Sequence, residues 1–223
     1  MPVWPAIWLT LQLAVVTTVI LVAIAIPLAW WLATTRSPLR PVIEALTTLP
    51  LVLPPTVLGF YLLVLFSPDA PVGAFWVRMT GSTLTFSFTG LVLASCLYSL
   101  PFVVQPLVSA IATLGRGAME AARTLGASRR DAFRSIALPL ARKVLLTGAI
   151  LGFAHTVGEF GVILMVGGNI PGRTRVISIE SVSAVETLDY RTAHLLSGGL
   201  LIFSFAVLLL VFALNKRGGW TRV

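Results

Sequence analysis

Residues 117–143 read GAMEAARTLGASRRDAFRSIALPLARK. This basic, only moderately apolar stretch stands between long uncharged runs, and its reading decides the fold. The residues up to Leu125 favour helix, Gly126 can take the positive φ that ends one, and Ser128-Arg129-Arg130-Asp131 has the form of a capping box that starts another. The stretch is therefore two short helices with a bend at Gly126. On the second, Ala132, Phe133 and Ile136 fall on one side while Arg129, Arg130 and Arg134 crowd the rest, until Pro139 removes a backbone donor and is expected to break the run. An apolar stripe with a cationic margin suits a docking surface.

Outward from this stretch the chain is too apolar for a soluble domain of its size. Of 223 residues, 57% are hydrophobic and 11% charged, which reads as one all-α polytopic membrane domain over residues 1–223. A hydrocarbon core of about 30 Å needs about 20 apolar residues in a helix. Five stretches qualify: Leu9 to Ala33, Ala45 to Phe66, Phe86 to Leu107, Val144 to Val166, and Ala193 to Leu214. An odd number of spans puts the termini on opposite faces. Arg36 and Arg40 follow the first span, seven basic residues from Arg116 to Lys143 follow the third, and Lys216, Arg217 and Arg222 follow the fifth. The other face holds Arg78, Arg173, Arg175 and Arg191, balanced by Asp69, Glu180, Glu186 and Asp189. The positive-inside rule then places the N-terminus outside, with the C-terminus and the basic loop in the cytoplasm.

The net charge of +8 does not describe a nucleic-acid surface, because the basic residues lie in the short segments between apolar runs and are not interleaved with exposed aromatics. Cys96, the one cysteine, sits inside an apolar run and has no partner for a disulfide within the chain. No basic n-region precedes the first run, and that run is too long for the core of a cleaved signal peptide.

Three of the spans carry unusual residues. The second contains Pro50, Pro54 and Pro55, then Thr56, and a proline break at membrane depth is tolerated where the freed carbonyls meet protein or water. Such broken helices either line a pathway or serve helix contacts alone. In the third, Ser95 and Ser99 lie one turn apart and could offer hydroxyl donors to an anion, although helix-to-helix bonding is the more usual use. The fourth reads His155-Thr156-Val157-Gly158-Glu159-Phe160-Gly161 and holds the one carboxylate in the middle of an apolar run. An ionisable group there costs about 2.5 to 3.5 kcal/mol even on a mild scale, so it is a functional candidate. Were the path to carry an anion, a carboxylate facing it would repel the cargo, so Glu159 is expected to turn away as a structural or gating hinge buried between helices. There His155, four residues earlier on one helical face, would pair with it, and Gly158 and Gly161 would permit close helix approach. The alternative is a solvated gate residue on the pore axis. Between the third span and the second, Ser67 to Gly81 reads as an external loop with Trp76 as an interface anchor. Val176 to Asp189 is too polar to span and reads as a short external helix.

The order and spacing of Glu120-Ala121-Ala122, Gly126, Ile136 and Leu138-Pro139 resemble the EAA loop of permease subunits of bacterial ABC importers, with Gly six residues after Glu and Ile-x-Leu-Pro ten after Gly. The Gly-Glu-Phe-Gly string at 158–161 and Gly-Gly-Asn-Ile-Pro-Gly at 167–172 resemble the oxyanion branch of that family, most strongly the permeases for molybdate, with tungstate and sulfate next. The resemblance implies a bacterial inner-membrane subunit working by alternating access and pairing with a second copy of itself. Residues 117–143 of each copy would seat in a groove of one of two separate ATPase subunits, and a periplasmic oxyanion-binding protein would deliver the anion. No phosphate-binding Gly-x-x-x-x-Gly-Lys-Ser/Thr occurs, so the chain is not expected to be an enzyme or to bind a cofactor; ATP is used by the partner. A membrane-embedded enzyme would need convergent acid, base or metal ligands from two histidines and one intramembrane carboxylate. A passive channel or ion-coupled carrier would have no use for the ATPase-docking pattern.

Overall fold

The N-terminal apolar run forms α1 (Trp4–Thr34), which continues through Pro27 without a break. In the computed structural model of the chain, residues 3–124 and 126–216 are described, with the side chains of 114–121, 123, 129 and 216 outside that description. All regular structure among the described residues is helical. After α1 come α2 (Arg40–Val52), α3 (Pro55–Phe66), α4 (Pro71–Thr80), α5 (Phe88–Thr124) and α6 (Arg129–Ala132). A π-helical turn, Phe133–Ala137, joins α6 to α7 (Leu138–Gly158), and α8 (Gly161–Gly167), α9 (Ile177–Glu186) and α10 (Tyr190–Lys216) follow.

Four helical runs are long and apolar enough to cross a bilayer alone: Trp4–Thr34, Phe88–Thr113, Arg130–Gly158 and Tyr190–Asn215. The expected second span is present as α2 and α3, whose axes bend by 118° at the break. Leu53 and Pro54 are extended there, because neither Pro54 nor Pro55 can donate to the preceding turn.

The core is α5 wrapped by α1, α7 and α8. Leu13, Leu21, Ala25 and Leu32 of α1 meet Leu91, Val103, Val104 and Leu107 of α5, and Ile163 of α8 closes the cluster. Val103 is the contact point for α7, where a Cβ on Gly148 would lie 3.2 Å from its Cα and one on Gly152 3.0 Å from its Cγ2. By contrast α10 shows Leu201, Ile202, Phe205 and Phe212 to the outside, as a helix solvated by lipid does.

Three expectations need correction. Ser67 to Gly81 is not merely a loop: Pro71 starts α4 and Gly81, at φ +70°, ends it. Pro139 does not break its helix. It falls in the first turn of α7, after a turn widened so that the Leu138 N–H donates to the Phe133 carbonyl, five residues back. The wider turn relieves the clash between a proline ring and the carbonyl four residues earlier. Finally, the fourth span does not run to Val166 but stops at Gly158.

Candidate functional site

Two sites face opposite ends of the helix that starts at Arg130. The first is the basic ridge. Ala127 N–H donates to the Ala122 carbonyl at 3.0 Å, the six-to-one bond of a Schellman motif, around Gly126 at φ +82°. Ser128 N–H and Oγ–H both donate to Asp131 Oδ2, at 3.2 and 2.5 Å, while Asp131 N–H donates to Ser128 Oγ at 3.2 Å. The expected bend and capping box therefore both form. The stripe behind them is turned inward: Ala132 and Ala137 are buried, and Phe133 packs at a tilt against Trp30 of α1 with ring centroids 5.0 Å apart. The exposed rim of the ridge is formed by Arg130, Arg134, Ser135, Pro139 and Leu140, while Ile136 and Leu138 are half-buried. Ala122 is buried, and the side chains of Glu120 and Ala121 lie outside the described residues.

The second site lies where two helix breaks meet. Glu159 is extended (φ −68°, ψ 130°) between α7 and α8, and Pro54 is extended (φ −54°, ψ 135°) ahead of α3. A Cβ on Gly161 would lie 2.8 Å from Pro55 Cβ, and one on Gly59 2.8 Å from Met165 Cβ, so α3 and α8 lie nearly backbone to backbone. Beside this crossing is a cavity of about 470 Å³. Of the expected pathway residues, Pro55, Thr56, His155, Gly158, Glu159 and Gly161 line it, whereas Pro54, Ser95 and Ser99 do not.

His155 and Glu159 do not form the expected pair. The four-residue spacing requires a continuous helix, and α7 ends one residue before Glu159. Instead His155 Nδ1 shares a 2.9 Å hydrogen bond with Ser99 Oγ of α5, and Ser99 Oγ also contacts Thr156 Oγ1 at 3.2 Å. The imidazole lies between Tyr98 and Phe102, with centroids 4.7 and 4.1 Å away. These two aromatics escaped the sequence reading, although their four-residue spacing marks one helical face. Glu159 is buried, at 4% exposure, and the Ser95 hydroxyl stands beside its carboxylate, although neither group makes a hydrogen bond of good geometry to any described residue. Its backbone is fixed from outside, since Ser178 Oγ of α9 donates to the Glu159 carbonyl at 2.5 Å. Gly161 makes the expected close approach; Gly158 does not, a Cβ there meeting nothing within 4 Å.

The two sites are mechanically joined. The Arg130–Gly158 run has 29 residues, about 43 Å at the rise of an α-helix, and carries the ridge at one end and His155 near the other. α5 leads from Tyr98 and Ser99 into the segment that Gly126 caps. The Ser99–His155 hydrogen bond thus ties together the two helices that enter and leave the ridge.

Known proteins resemble the chain over most of its length. It is 53% identical over 211 residues to the molybdenum transport system permease protein ModB of Azotobacter vinelandii, covering 95% of this chain and 93% of that one. Against the ModB of Haemophilus influenzae the identity is 36%, with 95% and 93% covered. The sulfate transport system permease protein CysT of Salmonella typhimurium is 34% identical, with 94% of this chain and 76% of that one covered. Among solved structures, a chain of a bacterial alginate ABC transporter in complex with an alginate pentasaccharide-bound periplasmic protein shares the fold, with a TM-score of 0.75, 18% identity, and 98% and 80% of the two chains covered. Residues 25–216 match the family described as the inner membrane component of binding-protein-dependent transport systems, and the chain belongs to that family.

Proposed function

We propose that this chain is the membrane-spanning subunit of an ATP-driven importer that carries molybdate inward by alternating access. The observation that carries this reading is the 53% identity to a molybdenum transport permease across nearly the whole of both chains. Tungstate is the nearest alternative cargo, and sulfate follows through the 34% identity to a sulfate permease. Two copies pair to enclose the path, two separate ATPases engage the ridges, and a periplasmic oxyanion-binding protein docks above. The N-terminus lies outside and the C-terminus inside, a reading supported by 12 basic residues on one face against four on the other. Closure of the ATPases on ATP would press on Arg130, Arg134 and their neighbours, and the rigid Arg130–Gly158 helix would transmit that motion to the helix breaks at Pro54 and Glu159. ATP chemistry stays in the partner; this chain supplies the path and the lever.

The test is uptake into vesicles holding the permease, its ATPase and the cognate binding protein. Molybdate or tungstate should be taken up, only with ATP, at concentrations far below those needed for sulfate. High-affinity sulfate uptake that ignores molybdate would move the chain to the sulfate group.

A further inference from the structure

We propose that His155 is the side chain that meets the oxyanion in this cavity, and that it does so as the imidazolium, donating from Nε2–H. The inference rests on the transport reading above and adds to it a named contact and a charge state.

The argument follows the protons along one chain of contacts. Thr156 Oγ1 lies 3.0 Å from the Gly152 carbonyl oxygen. A carbonyl has no proton to give, so the hydroxyl donates its only one there. Ser99 Oγ stands 3.2 Å from Thr156 Oγ1, and with the threonine proton already committed, the serine must donate its own. That leaves Ser99 Oγ as an acceptor toward His155 Nδ1, 2.9 Å away, so Nδ1 carries the hydrogen. A neutral imidazole protonated at Nδ1 has a lone pair at Nε2. Each of the three contacts thus holds one proton, and the chain fixes the tautomer from the α5 side.

The consequence falls on the cavity that His155 lines. Neutral His155 turns a lone pair toward any anion beside Nε2, which repels it; the imidazolium turns a charged donor toward it. No Lys or Arg lines the cavity among the described residues. The other titratable groups that line the cavity are Tyr98 on α5 and Glu159 just after α7, while Pro55 and Thr56 of α3 and Phe160 and Gly161 at the start of α8 carry none. The Glu159 oxygens are shielded from the cavity space. Histidine is thus the one side chain here able to supply positive charge, and it takes the required proton from the aqueous phase as pH falls.

The experiment uses the complete transporter in vesicles with equal pH on both sides, measuring labelled molybdate uptake per ATP hydrolysed. From about pH 8 to about pH 6, uptake per ATP by the unaltered protein should rise at least about threefold. His155→Gln keeps an amide donor but cannot titrate, and should flatten the profile at a low level; His155→Arg should flatten it at a high one. Ser99→Ala frees the tautomer, so the neutral ring can present Nε2–H; uptake at about pH 8 should rise and the slope should shrink. A purely structural role for Ser99 would lower uptake equally at every pH, which would overturn the proposal. An unchanged slope in His155→Gln would overturn it too, as would a flat profile in the unaltered protein that still carries molybdate. A protein that carries no molybdate at any pH breaks instead the transport reading on which the proposal stands.

Discussion

The ridge around Gly126 and the cavity around His155 sit on one continuous helical lever, yet they are built by different rules. At the ridge, the caps and turns are made by residues within six positions of one another: the Ala127-to-Ala122 bond, the Ser128 and Asp131 exchange, and the widened turn before Pro139, with Phe133 on Trp30 as the long-range anchor. At the cavity the decisive contacts join distant parts of the chain, with Gly161 on Pro55, Ser99 on His155, and Ser178 on Glu159. The difference follows from the solvent. Water can satisfy a frayed helix end at the ridge, so short-range caps suffice. Within the membrane, broken backbone must be satisfied by protein or trapped water, so each break needs a partner from elsewhere.

The comparison breaks hardest at Gly161. A Val side chain there would drive its Cβ into Pro55 Cβ, 2.8 Å away, and neither of the two backbones can retreat without opening the α3–α8 contact. Overfilling of this kind costs about 1–3 kcal/mol, and Gly161→Val should fall at or beyond the upper end, with loss of uptake and a lower Tm in detergent. Gly158→Ala is the control three residues away. Its Cβ enters open space, and alanine favours the last turn of α7 by about 0.5–1 kcal/mol, so stability should hold or rise. Equal damage from both would mean that the crossing is not the constraint.

The same division explains which features could be read from the sequence. The Gly126 bend, the capping box and the proline break in the second span all follow from single-residue backbone chemistry, and all are present. The end of the fourth span was misplaced because hydropathy averages Val157 and Phe160 with their neighbours, while the backbone responds to Gly158, Gly161 and the Ser178 bond to Glu159. The His155–Glu159 pair failed for the same reason, since the spacing argument presumed a helix that had already stopped. That Ser99 would take His155 was open in the sequence only as generic helix-to-helix bonding; the choice of partner depends on how α5 and α7 are rotated about Val103.

Gly126 offers the next effect in size, and it should be purely local. At φ +82°, with nothing within 4 Å of an added Cβ, Gly126→Val meets no neighbour, and its cost is the left-handed backbone alone, about 1–2 kcal/mol. That would shift the population of the bent geometry by about five- to thirtyfold, lowering ATP-dependent uptake while insertion and Tm stay near normal. Gly126→Asn should retain most activity, because asparagine visits this region readily. Normal uptake by the valine variant would show that the bend is not needed for coupling.

The smallest effect concerns Asp131, whose carboxylate completes the reciprocal half of the cap by accepting from Ser128 N–H and Oγ–H. Asp131→Ala removes that half and leaves the other, because the residue 131 N–H can still donate to Ser128 Oγ. The site is exposed, so water replaces the lost bonds and the global fold should not register the change. The first turn should register it. The Ala132 amide, which donates to the Ser128 carbonyl at 3.0 Å, should exchange its hydrogen roughly two- to fivefold faster in the variant. Amides of α7 near His155 should be unaltered, because a cap acts over one turn while the cavity is held by contacts from α5 and α9. Faster exchange at both ends would mean that the lever softens as a unit, and the ridge and the cavity would then be one cooperative structure.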